Sequence, residues 1–274
     1  MNYSRIWRLL AAFLLCAAGC TEEIYDSTVT EKSDVRLNMV WPVQASEKYV
    51  ARFGNGREFD LSGNDNVLEG IGTGADRIMV FNLPSGVQRK GSVFRAEHLE
   101  DGTLRGDTEL LLSIVQDVHI RPNILNDIVL EPVRVTKEIV FNFISDTPLI
   151  SASAELEAAG SIDLEYHRFF EPTKLKIPMK PDNNGVWNGS ARILGICDES
   201  LDISLSIMAE DGKTSDFLLS LPLCFVGYNK GMPQSLKIEF KHSRGKCTAK
   251  LLMPSGNWQI LLEKININEY NEEI

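Results

Sequence analysis

The sequence predicts an all-β protein built from two tandem β-sandwich domains. Apolar and polar residues alternate over many short segments, and Gly, Asn, Asp and Pro separate these segments at intervals of ~8–12 residues. No segment of helical length shows a 3.6-residue apolar period. Short alternating strands without amphipathic helices are typical of sandwiches. The chain has 274 residues, 43% of them hydrophobic, which is enough for two ordinary cores.

The first domain is predicted over residues 34–131. In "DVRLNMVWPV", alternate residues from Val35 to Trp41 share one face of a half-buried strand, and Pro42 ends it. "DRIMVFNLPSG" is predicted as a central strand closed by a Pro-Ser-Gly turn, and "GSVFRAEHLEDGT" as a further strand. "TELLLSIVQDVHI" fits a strand or a short helix, because its apolar run has no resolvable period.

The second domain is predicted over residues 132–274, after a boundary near 131–133 where polar residues lie between two prolines. "KEIVFNFIS" alternates as a strand, whereas "ASAELEAAGSIDLEYHRFF" can form paired strands or a short helix, and we favour strands. "GVWNGSARILGI", "LDISLSIMAEDGKTSDFLLSLPL" and "LKIEFKHSRGKCTAKLLM" are each expected to hold two strands, the last being the clearest hairpin. "GNWQILLEKININEY" is expected to form the last strand.

The first 19 residues have the order of a secretion signal. Arg5 and Arg8 are basic, Leu9 to Ala18 are apolar, and small residues precede Cys20. A membrane-spanning helix needs ~20 apolar residues, and this run is only about half as long before acidic residues follow. We therefore expect residues 1–19 to be removed.

The cleavage site resembles the box of bacterial lipoproteins, Ala17-Ala18-Gly19-Cys20. The resemblance implies that Cys20 becomes the first residue and carries acyl chains such as palmitate, which give stable membrane anchoring. Cys16 is a poor rival because bulky Leu15 precedes it. Residues 20–33 are predicted as an acidic, polar tether. The acids after Cys20 are similar to the signal that exports many Bacteroidota lipoproteins to the outer face of the outer membrane.

Charge excludes one class of partner. The chain carries 28 basic and 38 acidic residues, a formal net charge of −10, and removal of the signal peptide makes it more negative. An acidic surface repels phosphates, and no basic block with interleaved aromatic residues occurs. We therefore expect no nucleic acid as partner.

Three further cysteines follow Cys20, namely Cys197, Cys224 and Cys247, each in an apolar context. Three cysteines allow at most one disulfide, with three pairings, and leave one thiol. We favour buried free thiols, since unpaired cysteine packs as a small hydrophobe. The absence of C-x-x-C gives no indication of a zinc ribbon or a redox motif.

The sequence contains no motif for catalysis, and we expect no cofactor and no metal. The histidines His98, His119, His167 and His242 stand apart, and Gly70, Gly72 and Gly74 lack the βαβ context of a dinucleotide loop. The pairs Glu155/Glu157 and Asp163/Glu165 are read as solvent-facing strand residues, although paired carboxylates also serve glycoside hydrolysis. The segment "SGNDN", which includes Asp65, is read as a turn rather than a calcium site.

Several features together resemble a known family: the lipoprotein box, the acidic tether, and strands of the form "VRLNMVW", "RIMVFN" and "VRVTKEIVFNF". The combination is similar to the fimbrial anchor and accessory (fimbrillin-like) lipoproteins of Bacteroidota. The resemblance implies two transthyretin-like sandwiches, a non-enzymatic structural subunit at the outer membrane, and pilus subunits as partners through strand exchange. Only Cys20 matches a defined functional position of that family.

The alternative is a glycan-binding surface lipoprotein. It predicts exposed aromatic residues on one face, with Trp187, Tyr49 and Tyr228 as candidates, whereas Trp41 and Trp258 fit core positions. A hydrolase would need acids or histidines that converge in a cleft. The open questions are the partner, the role as anchor, tip or non-pilus subunit, the cysteine pairing and the membrane leaflet.

Overall fold

A computed structural model describes residues 31–43, 48–197, 200–222, 235–243, 246–252 and 265–267. All of the regular secondary structure in these ranges is β-strand, which confirms the predicted all-β class. The strands are β1 (Lys32–Met39), β2 (Tyr49–Phe53), β3 (Glu58–Leu61), β4 (Asp65–Gly72), β5 (Gly74–Asn82), β6 (Val87–Lys90), β7 (Val93–Ala96), β8 (Leu112–Ile120), β9 (Leu125–Leu130), β10 (Val133–Arg134), β11 (Lys137–Ser145), β12 (Leu149–Asp163), β13 (Arg168–Pro181), β14 (Trp187–Ile193), β15 (Ser200–Ala209), β16 (Thr214–Pro222), β17 (Ser235–Ser243), β18 (Lys246–Leu252) and β19 (Ile265–Ile267).

Two sheets form the first sandwich. One has three strands in the order β4-β1-β9, and the other has five in the order β10-β8-β5-β2-β3. All pairs are antiparallel except β1 with β9, which is parallel. The predicted alternation of β1 is confirmed, because Val35, Leu37 and Met39 are buried while Arg36 and Asn38 are more exposed. These three side chains fill the core between the two sheets together with residues of β2, β5 and β9.

The second sandwich is one continuous path, β16-β15-β12-β13-β14-β11-β17-β18-β19. The long strand β13 pairs with β12 from Arg168 to Met179, and it then pairs with β14 only at Lys180 and Pro181. Because these two pairs are the only link between β13 and β14, the path is divided into two layers. Between them lies a core that includes alternate residues of β11, Ile139, Phe141 and Phe143.

Two regions that the sequence left open are strands. Residues 112–120 form β8 rather than a helix, and residues 149–181 form the paired strands β12 and β13. One expectation is wrong: "GVWNGSARILGI" holds a single strand, β14. The turn residues expected within this segment do not interrupt the strand, and a Cβ at Gly189 would lie 3.0 Å from Ile177 and 3.1 Å from Met179. This glycine therefore allows close packing inside a strand.

The predicted hairpin at the C-terminal end is confirmed in its strands. β17 and β18 are antiparallel, with Phe240 opposite Ala249 and His242 opposite Cys247. Leu236, Ile238 and Phe240 are all buried, as their alternation predicts. The turn residues Arg244 and Gly245 lie outside the described residues.

The two sandwiches share a junction. The β6–β7 hairpin lies in the N-terminal half of the chain, yet β7 pairs with β12 of the second sandwich. Phe94 of β7 packs edge to face on Phe81 of β5, with ring centroids 5.1 Å apart. Met79 and Phe81 contact the second core, whereas Ile78 and Val80 contact the first, so β5 is buried on both faces. The boundary near residue 132 stays a prediction, and this hairpin crosses it in space.

Candidate functional site

The predicted lipid attachment residue Cys20, the signal peptide and most of the tether lie outside the described residues. Within the described ranges there is no helix with the length and apolarity needed to cross a bilayer. The anchor therefore stays a prediction, and the described strands must show where other molecules can bind.

Edge strands differ in how well they are protected from pairing with another chain. Natural sheets protect their edges with short strands, charged side chains or irregular geometry. β10 has only two residues, and β3 has four, with Glu58 and Asp60 exposed. β4 is longer, but its register with β1 shifts between Ser33 and Val35. Each of these edges is thus poorly suited to accept a partner strand.

β9 is less protected, because its one exposed charged residue, Asp127, is paired with Arg36 of β1. It pairs with β1 in an unbroken parallel register, from Asp34 opposite Leu125 to Met39 opposite Leu130. Leu125 is 40% exposed and Val129 is 55% exposed. A regular edge with exposed apolar side chains is suited to β-augmentation, in which main-chain hydrogen bonds provide affinity and side-chain contacts provide specificity.

A buried asparagine fixes the turn that leads into β9. The Asn126 side-chain oxygen accepts a hydrogen bond from the Arg121 backbone N–H at 2.9 Å. Its amide donates to the carbonyl oxygens of Arg121 and Ile124 at 3.0 and 3.2 Å, and the Ser33 hydroxyl also donates to Ile124. The β9 edge is therefore held in place. Little conformational entropy of β9 would be lost when a partner strand binds to it.

The histidines do not converge. His119 lies on β8, His167 lies in the turn between β12 and β13, and His98 forms an isolated bridge with Leu104. His242 lies on β17, where its ring is 5.6 Å from that of Phe217. In the described part of the chain, no three His, Cys, Asp or Glu side chains are grouped to hold a metal ion.

The two carboxylate pairs lie in different places. Glu155 and Glu157 line a cleft of about 340 Å³ on the second sandwich, where Lys174 binds Glu155 at 3.0 Å. Asp163 instead shapes a turn, because its carboxylate accepts the Glu165 backbone N–H at 3.0 Å. Both pairs were predicted to be strand residues. Glu155 and Glu157 both lie on β12, whereas Asp163 ends that strand and Glu165 lies in the turn that follows.

The prediction of a glycine-rich loop is wrong in part, because Gly70 and Gly72 lie on β4 and Gly74 begins β5, so only Thr73 separates the two strands. Gly74 has a φ of 107°, which favours glycine. In residues 62–66, the Asn66 side-chain oxygen accepts the Ser62 backbone N–H at 3.3 Å. This contact closes the turn.

The aromatic residues that were candidates for a sugar-binding surface are mostly buried or half-buried where the structure describes them. Tyr49 is only 2% exposed, so the expectation that it is exposed is wrong. Its hydroxyl donates to the Gly63 carbonyl, and burial raises the pKa of the phenol. Trp187 is half-buried against the second core, and Trp41 packs on Tyr49 with ring centroids 4.9 Å apart. Tyr228 and Trp258 lie outside the described residues.

Sequence reasoning missed an aromatic residue that is strongly exposed in the described part of the chain. Tyr166 is 70% exposed, in the tight turn between β12 and β13. The available signal was its position in "DLEYHR", a polar interval between two apolar alternations. Because that interval could also have belonged to a helix, the sequence did not single it out.

One cysteine expectation is confirmed. Cys247 is a buried free thiol on β18, and burial raises its pKa to about 12. It is therefore protonated and unreactive at neutral pH. Cys197 is half-buried beside the 340 Å³ cleft, and Cys224 lies outside the described residues.

No protein-family model and no curated protein sequence matches the chain. Solved structures do match. A candidate adhesin from Bacteroides ovatus has a TM-score of 0.60 at 12% identity, covering 78% of this chain and 90% of that one. The fimbrial anchor protein Mfa2 from Porphyromonas gingivalis has a TM-score of 0.58 at 10% identity, covering 83% of this chain and 98% of Mfa2.

The chain has the fold of these fimbrial and adhesin proteins. A candidate polysaccharide-binding protein from Bacteroides thetaiotaomicron also shares it, with a TM-score of 0.56 at 10% identity, covering 82% of this chain and 99% of that one. The TM-scores establish a shared fold, and identities this low support no more than that. The fold agrees with the fimbrillin-like resemblance of the sequence.

Proposed function

We propose that the chain is a lipid-anchored surface lipoprotein of the outer membrane that acts as a structural or interaction subunit, as a fimbrial anchor or accessory component, and not as an enzyme. The observation that carries this proposal is the fold shared with the fimbrial anchor Mfa2 over 83% of the chain. The lipoprotein box at Cys20 supports it, because an anchor must be fixed to a membrane.

The position of β1 suits an anchor. Only residues 21–31 separate Cys20 from β1, a reach of at most about 40 Å when fully extended. β1 is the middle strand of its sheet, hydrogen-bonded to β4 on one side and to β9 on the other. A pull along the tether would load both ladders together instead of opening an edge strand one bond at a time.

The β9 edge is the surface that we propose for the partner. A strand of a pilus subunit that pairs with β9 would extend the three-stranded sheet to four strands. Exposed Leu125 and Val129 would give it apolar contacts. On the outer face of this sheet Arg36 is neutralised by Asp65 and Asp127, at 3.5 and 3.4 Å. The partner strand therefore needs no strong charge.

The test replaces the anchor residue in cells that produce the chain natively. Cys20→Ala should abolish incorporation of labelled palmitate, move the protein out of the outer-membrane fraction and release fimbrial material into the medium. Cys16→Ala is the matched control, because this cysteine belongs to the predicted signal peptide and should change nothing. Fimbriae that stay on the cells of the Cys20→Ala strain would contradict the proposal.

Glycan binding is the second candidate function. It is favoured by the fold shared with the candidate polysaccharide-binding protein and by one exposed aromatic residue, Tyr166. Exposed aromatic side chains that carry a polar tip are frequent at binding surfaces. This function can coexist with fimbrial anchoring, because Tyr166 is not on the β9 edge.

A further inference from the structure

A cleft of about 380 Å³ lies at the junction of the two sandwiches. One wall is the outer face of the five-stranded sheet, with Arg77 of β5 and Asp117 of β8 directly opposite each other. The other wall is the β12–β13 turn, with Glu165 and His167. The volume falls in the range of ligand pockets, ~300–1,000 Å³.

The bottom of the cleft is apolar and its rim is polar. Val115, Val135 and Leu164 line the interior, and Leu164 and Val135 are buried in the second core. A smaller hollow on the far side of Arg77 shares both Arg77 and Glu165 with the cleft. Apolar walls with a few fixed polar groups are the usual composition of a ligand site.

The charges of the rim compensate one another. Arg77 Nε donates to Asp117 Oδ1 at 2.7 Å. This hydrogen bond raises the pKa of Arg77 and lowers that of Asp117, and Glu165 and Tyr166 are close enough to add to the rise for Arg77. An arginine that already faces two carboxylates offers no site for an anion. A neutral ligand with many hydroxyl groups fits this rim, because carboxylates accept and guanidinium donates hydrogen bonds.

The turn fixes the backbone of Tyr166, which lies between the two lining residues Glu165 and His167. The Leu164 backbone N–H donates to the Ser92 carbonyl at 3.0 Å, and Asp163 accepts the Glu165 backbone N–H. His167 has a φ of 52°, and its ring packs edge to face on Phe169. Tyr166, between these fixed neighbours, is still 70% exposed. Because the backbone is already fixed, only the two side-chain torsions of the tyrosine remain to be ordered when the ring binds.

We propose that this cleft binds a segment of neutral carbohydrate, with the Tyr166 ring stacked on a sugar face and Arg77, Asp117 and Glu165 hydrogen-bonded to hydroxyl groups. The proposal rests on the second proposed function and assigns its site. The anchoring role at Cys20 and β9 does not depend on it.

Affinity electrophoresis of the full mature chain, in gels that contain starch, dextran, mannan, xylan, β-glucan or heparin, tests the proposal. We expect retardation by at least one neutral polysaccharide. Tyr166→Ala and Asp117→Asn should each weaken it at least tenfold, while Tyr166→Phe should keep most of it because the ring remains. Glu157→Gln is the matched control, since Glu157 lines the other cleft. Circular dichroism melts should show all variants folded.

Each result has one meaning. Retardation that Tyr166→Ala and Asp117→Asn leave unchanged would overturn this site while glycan binding itself stands. Mobility that no neutral polysaccharide changes would overturn both the site and the second function. Retardation by heparin alone would point to an anion-binding surface and would also overturn the site. None of these results affects the palmitate test at Cys20.

Discussion

The two sandwiches solve the problem of sheet edges differently. The first consists of two separate sheets and keeps an open, regular edge at β9. In the second, the end strands of the path, β16 and β19, contact each other. The long part of β13 that does not pair with β14 carries the exposed charged residues Lys174 and Lys176. Charged side chains protect an edge from pairing with other chains. We infer that the first sandwich carries the interaction surface and the second supports it.

The junction connects the interacting sandwich firmly to the supporting one. β5 is buried on both faces, and β7 adds to the sheet of the second sandwich, so the interacting part is built onto the supporting part. A load that enters through β1 can then be transmitted to the second sandwich through packed side chains. We therefore expect the two regions to act as one body.

The largest effect is expected at the junction. Phe81→Ala removes a fully buried ring that packs on Phe94, and should lower the free energy of unfolding by ~3–5 kcal/mol. Urea unfolding of the mature chain, followed by circular dichroism, measures this loss. Leu83→Ala is the control two residues away, where the side chain is exposed and a change within ~0.5 kcal/mol is expected. A loss below ~1 kcal/mol for Phe81→Ala would mean that the sandwiches are not joined through β5.

The cores of the two sandwiches also differ in charge. Lys137, the first residue of β11, is only 2% exposed on the inward face of its strand, and its ammonium group has no ion pair or hydrogen bond among the described residues. Desolvation lowers its pKa. Lys137→Met should therefore stabilise the protein by up to ~1 kcal/mol at neutral pH, the lower end of the range for a buried polar group, because the ammonium group is not among the fully buried atoms.

The lowered pKa of Lys137 also determines how the stability of the protein changes with pH. Between the lowered pKa of the folded state and the ordinary value of 10.5, the unfolded chain binds more protons at Lys137 than the folded chain does. The stability contributed at this site thus rises with pH in that alkaline window. Lys137→Met should remove this rise, which urea unfolding at a series of pH values measures. A variant that is less stable than the wild type at neutral pH would contradict the prediction.

Local strand patterns were predictable from the sequence, and the junction was not. The alternation around Leu37 and around Ile238 fixed both the strands and their buried faces, because a period of two depends only on neighbouring residues. Pairing of β7 with β12 joins segments more than 60 residues apart, and no local pattern encodes it.

The candidate site was hidden for the same reason. Arg77, Asp117 and Glu165 meet only because β5 and β8 pair and the β12–β13 turn folds over them. In the sequence they are single charged residues among many. Tyr49 shows the opposite error: it was a candidate for an exposed aromatic residue under the glycan-binding alternative, whereas its inward position on β2 buries it.

The open edge of the first sandwich gives an intermediate effect. Val129→Lys on β9 should reduce the amount of fimbrial material retained on cells about tenfold, ~1.4 kcal/mol of partner affinity, because a lysine on an edge strand opposes pairing with another strand. Val67→Lys on β4 is the matched control, since Val67 is 51% exposed on the same sheet. Equal retention in the two variants would rule out β9 as the partner edge.

The smallest effect is expected at an exposed ion pair that connects the two regions. Arg95 of β7 donates two hydrogen bonds to Glu171 of β13, at 3.1 and 2.7 Å, and the Ser161 hydroxyl donates a further one. The hydrogen bond from Ser161, followed by those from Arg95, lowers the pKa of Glu171. Glu171 also has a φ of 60°, at a point opposite Gly160 where the β12–β13 register continues unchanged on both sides.

Glu171→Gln should cost only ~0.2–1 kcal/mol at neutral pH, because both side chains of the ion pair are partly exposed and solvent screens them. Since the pKa is lower in the folded state, the contribution of Glu171 is fully present above the ordinary value of about 4.5 and is lost as the pH falls below it. The gap between wild type and variant should therefore close in acid, as urea unfolding from pH 7 to pH 3 can show. Glu97→Gln removes a similar exposed pair with Arg105 inside the N-terminal half and serves as control. A gap that widens in acid would show that Glu171 does not connect β7 to β13 as a carboxylate.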